Sequence, residues 1–224
     1  MIHESSDSTE GVLIASREEV QAWAWNEVQL ADSIANLRRD TIAGLPVQAL
    51  VDPEIFGRIY WDHPASWRLL AKHDQSVLGC WHFMSLQPES FERAMQGKLN
   101  AVDIRSDIVR SLDEPGFHDV YVLTYVVRPE WRLTAATLKL ARSMFDVLLE
   151  MAQRGVFVRN LGANFVTDEG RAIARALDMT FLCDHAVFGT VYHAHFPEML
   201  QRLAFQDRRG MFVQQLRELY AREA

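Results

Sequence analysis

The residues best placed to do chemistry lie in one turn, Val126-Val-Arg-Pro-Glu-Trp-Arg-Leu-Thr-Ala-Ala-Thr137. It follows an apolar run at residues 120–127 and leads into a long amphipathic segment. A helix that starts here leaves its first amides without intrahelical acceptors, and its dipole adds partial positive charge. Such a start is an anion site. The small residues Thr134, Ala135, Ala136 and Thr137 let a diphosphate approach the backbone, and Arg132 supplies a charge-assisted contact. The plain alternative is a helix boundary set by Pro129.

Other chemistry is less well marked. His193 and His195 share one face of a strand, with Asp184 and His185 just before them, and imidazole and carboxylate are zinc ligands. No helix-borne or Cys-rich ligand spacing accompanies them, so a hydrogen-bonded face without metal is the expectation. No Gly-x-Ser-x-Gly elbow, phosphate-binding Gly-Lys-Ser/Thr loop or Cys-x-x-Cys pair occurs. Trp61, Trp67 and Trp81 are expected to pack in the core; Trp81 or Phe83 would line the acceptor side if either had a role.

The elements that must hold the turn follow from periodicity. Ser16-Arg-Glu-Glu19 is a capping box, and Val20, Trp23, Leu30, Ile34 and Leu37 follow on one helical face, interrupted at Glu27. Residues 47–51 suit a short strand, Asp52-Pro53 starts a helix, and His63-Pro64 ends it. Residues 68–72 and 77–86 form a hairpin with Gly79 as a bulge, and Pro88 opens a short helix. Residues 120–127 are apolar on both alternating faces and predict a central strand. A helix follows over 133–154, stopped by Gly155, then a strand from Val156 and a helix capped by Thr167. Strands are expected at 180–183 and 186–195, and amphipathic helix at the C-terminus with Phe212, Val213, Leu216, Leu219 and Tyr220. The sum is an α+β domain with a central mixed, mostly antiparallel sheet and helices on both faces.

The chain has 224 residues and a formal charge of −7. That suits one domain and disfavours nucleic acid and acidic membrane surfaces as partners. The expected division is a tail at 1–15, a domain at 16–196 with an insertion at 87–118, and a C-terminal helical extension at 197–224. Residues 1–10 have neither the basic start nor the apolar core of a signal peptide, no apolar run is long enough to cross a membrane, and Cys80 and Cys183 read as buried thiols. These features predict a cytoplasmic protein.

Val127-x-Pro129-x-x-Arg132 ahead of a long helix resembles the acyl-CoA signature of GNAT acyltransferases, Arg/Gln-x-x-Gly-x-Gly/Ala after a strand ending Val-x-Pro. Arg171-Ala-Ile-Ala with Leu-Asp-Met-Thr-Phe181 is similar to the family's fourth helix and its Leu-Gly-Phe ending, and Leu78-Gly79 to its Val-x-Gly strand. The resemblance spans roughly residues 67–195. It departs from the pattern at Ala135 and Thr137, where glycine permits the closest backbone approach, and at Ala176 and Glu169, which replace the usual tyrosine acid and asparagine of that helix.

The resemblance implies transfer of an acetyl or acyl group from acyl-CoA to an amine by direct attack. Backbone groups of Val126 and Val127 would pair with the pantetheine arm where the fourth and fifth strands part. The amides of Leu133, Thr134, Ala135, Ala136 and Thr137, with Arg132, would hold the diphosphate. Candidates for the acid–base groups are Asp119 and His118, Tyr121 or Thr124 through a water, and Tyr192 or Cys183 as replacement acid. A small-molecule amine is the expected acceptor, with no metal cofactor. Alternatives are a long-chain acyl-CoA donor, an acyl-carrier protein docked on Arg128, Arg132, Arg159, Arg171 and Arg175, and a GNAT scaffold that binds without turnover. The helix at residues 211–220 either makes a homodimer or packs on its own domain.

Overall fold

The computed structural model describes residues 11–206 and 211–223. Most of the segment expected as a tail, residues 1–10, lies outside the described residues, but its apolar end forms an edge strand, β1 (Val12–Ala15). The Ser16 box closes as expected: Ser16 N–H donates to Glu19 Oε2 at 2.7 Å, and α1 (Arg17–Ala22) begins. The helix does not run on. Ala24 takes a φ of +59°, and a second capping box, Asn26 with Gln29, opens α2 (Glu27–Thr41). A positive φ cannot be continued as right-handed helix, so the chain restarts at a new cap.

Residues 47–51 are not a strand but hold a 3-10 turn, Val47–Ala49, which leads to Asp52 and α3 (Pro53–Asp62). The hairpin is β2 (Trp67–Lys72) and β3 (Val77–Ser85); Gly79 pairs with Leu70, and the register shift falls one residue earlier in β3, with Leu78 as the extra residue. The 87–118 insertion carries α4 (Pro88–Met95) and two 3-10 turns, and a bridge from Leu86 to Val109 ties it back. β4 (Gly116–Val127) and α5 (Ala135–Gln153) follow, then β5 (Val156–Phe165) and α6 (Asp168–Ala176). β6 (Thr180–Asp184) runs one residue beyond its expected end, and β7 (Thr190–His195) starts four residues later than expected, after the turn where Gly189 has φ +100°. α7 (Phe196–Gln206) and α8 (Met211–Glu223) close the chain.

Among the described residues the strands make one sheet in the order β1-β2-β3-β4-β5-β7-β6, in which β4 and β5 are the one parallel pair. Alternation splits the core in two. On one face Trp81, Phe83 and Val120 pack under Leu140, Val147 and Met151 of α5. On the other, Cys80, Met84 and Tyr121 meet Ile34 and Leu37 of α2 and Phe56 and Tyr60 of α3. Tyr220 of α8 reaches the first core, where its oxygen accepts from the Val158 amide at 2.6 Å, so the C-terminal helices share this core. Trp81 donates to Ser143 on α5 at 2.9 Å and stacks on Phe83, which buries both under that helix and away from α2.

Candidate functional site

β4 and β5 pair over only part of their length. Pairing runs from Gly116 opposite Val156 to Val122 opposite Ala163, and then stops. β4 continues to Val127, still paired with β3 on its other side, from Thr124 opposite His82 to Val127 opposite Gly79. The parting begins at a bulge. Val122 faces Phe83 and Thr124 faces His82, so Leu123 is the extra residue. A bulge leaves one residue unpaired and bends its strand. Beyond it the β5-facing edge of β4 is open. Arg128 N–H donates to Leu78 O on β3 at 2.8 Å, so strand alternation points Val126 toward β3 and turns Tyr125 and Val127 toward the gap.

The open edge leads to the start of α5. A 3-10 turn, Pro129–Trp131, brings the chain round, and Leu133 takes φ +58° with its side chain fully exposed. That left-handed residue is why the helix begins at Ala135, two residues later than the apolar period predicts. Among the described residues, the amides of Leu133, Thr134, Ala135, Ala136 and Thr137 have no acceptor; the Leu138 amide is the first to find one, Thr134 O at 3.3 Å. The two threonines do not fill the opening. Thr134 Oγ1 and Thr137 Oγ1 both donate to Trp131 O, at 2.7 and 2.6 Å. Arg132 is exposed, and its Nε donates to Val127 O at 3.2 Å. The first turn of α5 holds no acidic residue.

The overall fold that carries this half-open strand pair has counterparts among solved structures. The loading GNATL domain of CurA from Lyngbya majuscula superposes with a TM-score of 0.53 at 9% identity, over 84% of this chain and 98% of that one. The chain has the GNAT fold. Weaker similarities include a GNAT-family acetyltransferase from Staphylococcus aureus Mu50 (TM-score 0.45, 9% identity, 81% and 97% covered) and Ard1 from Thermoplasma volcanium (0.45, 11%, 82% and 95%). No family model and no curated protein sequence matches the chain.

Within this GNAT fold the sequence candidates separate. Asp119 lies in the paired half of β4, opposite Asn160. Its carboxylate takes Arg159 Nη2 at 2.8 Å, Arg159 Nε at 3.1 Å and Asn160 Nδ2 at 2.8 Å. Burial alone would raise its pKa, but these three bonds outweigh burial and hold it below the usual carboxylate range. His118 is buried with both nitrogens engaged: Nε2–H donates to Glu114 O and Nδ1 accepts from Ser85 Oγ, each at 2.8 Å. Tyr121 and Thr124 flank the bulge on the α2 face, and burial keeps the Tyr121 phenol protonated well above its ordinary range. Tyr192 sits in the row Val122–Ala163–Tyr192, where the pairing ends, packed between Phe165 and Phe181. The Cys183 thiol donates to Met95 O at 3.5 Å. His193 Nε2–H donates to Asn160 Oδ1 at 3.1 Å, and His195 pairs with Glu198 at 3.3 Å. Of the five arginines expected in a docking patch, three are in ion pairs: Arg159 is held by Asp119 in the paired half of the sheet, Arg128 pairs with Asp40 and Arg171 with Asp168.

Sequence reasoning missed a polar group on the α2 face. Arg38 of α2 is 8% exposed, and His82 of β3, opposite Thr124, is 0% exposed. Both His82 nitrogens, Thr124 Oγ1 and Tyr60 Oη are buried without a partner among the described residues. Burial first, and then the charge of Arg38, pushes the His82 imidazole down to about 3, so it is neutral. The signal was there in the spacing. Arg38 is one turn beyond Ile34 and next to Leu37, and His82 is in phase with Cys80 and Met84.

Proposed function

We infer that the protein transfers an acyl group from a CoA thioester to an amine. The observation that carries this reading is the half-open β4–β5 pair whose free edge runs straight into the unpartnered amides of α5. An extended pantetheine arm carries amides of its own. It would take the place of the missing strand along Tyr125 and Val127, while the diphosphate meets the amides of residues 133–137 and the free nitrogens of Arg132.

The thioester then lies beside the bulge at Leu123. The amine attacks the carbonyl carbon, the C–S bond breaks and CoA leaves as thiolate. The backbone N–H of the bulge residue Leu123 would receive the tetrahedral oxyanion. Tyr121, held protonated, acts as a donor on the acceptor side, and Thr124 holds a water that takes the ammonium proton. Tyr192 returns a proton to the thiolate, in the place of the tyrosine that Ala176 replaces. Asp119 orients Arg159 and Asn160 and stays ionised, which makes it a positioning residue.

The test is titration of the protein with acetyl-CoA, read by calorimetry and by hydrogen exchange. Heat of binding with protection of residues 123–140 is expected, followed by thiol release when an amine is added. Absence of both heat and protection rejects the reading.

A further inference from the structure

Arg38 is a buried cation without a countercharge among the described residues. Its one hydrogen bond is from Nη2 to the Ala49 carbonyl at 3.2 Å, and no described carboxylate comes within ion-pair distance of it. Buried charges are ordinarily paired, because desolvation of a lone ion is heavily penalised. The groups that feel its charge are Tyr60, Cys80, His82 and Tyr121, and all four are held neutral by burial. None of them balances it.

The surroundings are also polar and unsatisfied. Tyr60 Oη, both nitrogens of His82 and Thr124 Oγ1 are buried with no partner, and the residues that carry them are 0%, 0% and 5% exposed. Tyr60 and His82 rings are 4.6 Å apart, and His82 and Thr124 face each other across β3 and β4. Thr124 is one residue past the bulge, in the stretch of β4 whose other edge is open. A guanidinium fork matches a carboxylate in geometry as well as charge. The phenol and hydroxyl can donate to the same anion, and the basic nitrogen of neutral His82 can accept from an amine.

We propose that Arg38 receives a carboxylate brought into the cleft by a substrate, either the carboxylate of an amino-acid acceptor or the far carboxylate of a dicarboxylic acyl-CoA. The proposal deepens the acyl-transfer reading and rests on it for the chemistry after binding. It adds the substrate class: one partner in the reaction is an anion at the end remote from the thioester.

The experiment compares wild type, Arg38→Met and Arg38→Lys. Thiol release is measured with acetyl-CoA and matched amines, alanine against ethylamine and phenylalanine against phenethylamine. A second arm compares succinyl-CoA with acetyl-CoA at one amine. Wild type is expected to prefer the carboxylate-bearing member of one arm by about tenfold or more in kcat/KM; the arm that shows it identifies the source. Arg38→Met should reduce that preference to near unity, keep acetyl-CoA affinity, and melt at or above the wild-type temperature, because a lone buried charge has gone. Arg38→Lys, with the charge but not the fork, should lie between. Turnover with no preference in either arm overturns the proposal and leaves acyl transfer standing, as does a preference that survives in a folded Arg38→Met. If acetyl-CoA does not bind at all, the transfer reading fails. Arg38 is then judged on binding alone: alanine or succinate must raise the melting temperature of wild type and not of Arg38→Met, and no shift in wild type overturns the carboxylate site too.

Discussion

Ala135→Asp sets two effects of the same helix start against each other. Ala135 is the first helical residue of α5, which has no acid in its first turn and no side-chain cap, since Thr134 turns its hydroxyl to Trp131 O. A carboxylate there meets unpartnered amides and the positive end of the dipole, which stabilises the helix by about 0.3–1 kcal/mol. In a chain of this size that raises the melting temperature by roughly 1–4 °C. A CoA diphosphate at the same mouth would feel repulsion. Two negative charges about 5 Å from the new one cost about 1.7 kcal/mol in bulk water, and roughly half of that remains at physiological salt. The expected loss of acetyl-CoA affinity is therefore about five- to twentyfold, in a protein that is more stable. Thermal melts and calorimetry on the variant measure both, with Ala135→Asn as the uncharged control that should keep near wild-type affinity. A raised melting temperature with unchanged affinity would refute a diphosphate at this helix start, and equal losses in both variants would show crowding rather than charge.

Three further outcomes are expected. Thr137→Ala should weaken CoA binding rather than relieve crowding, because it removes the 2.6 Å bond that folds the turn back on Trp131 O; the net stability loss is about 0.5–1 kcal/mol in denaturant melts. Gly79→Ala places a Cβ 2.9 Å from Val126 O and should cost about 1–3 kcal/mol; because it pushes on the free stretch of β4, acetyl-CoA affinity should fall with it, and intact affinity would show that β4 does not carry the ligand. His82 titrates near 6.5 when unfolded and at about 3 when folded, so the unfolded chain binds the extra proton and stability falls as pH drops from about 6.5 toward 3. His82→Met should flatten the fall in denaturation midpoint between pH 7 and 4.5; identical slopes in the two proteins would contradict that assignment.

Much of this architecture is legible from the residues. Apolar faces on both sides of residues 120–127 place that strand in the middle, and Ser16, Asp52 and Thr167 cap the helices their side chains suggest. The Asn26–Gln29 box has the same logic as Ser16–Glu19 and stops the first helix from being continuous, yet the hydrophobic period runs through it and hides the break. Residues 47–51 have strand-like composition but pair with no described strand, and a short segment without a partner settles as a 3-10 turn. The parting of β4 and β5 is a matter of register between segments distant in sequence, and no local pattern encodes where a ladder ends. Arg38 and His82 sit in phase with apolar neighbours, and period alone does not distinguish an exception with a purpose from a poorly placed residue.

The seam between β4 and β5 has a mechanical consequence. β1–β4 and β5–β7 are joined edge to edge over only the first part of β4, so the assembly behaves as a clasp hinged at one end. A molecule threaded into the open end would act as a stitch. The central strand β4 thus exposes its Tyr125 and Val127 amides to exchange as a fringe does, and becomes a true interior strand only when something extended lies against it.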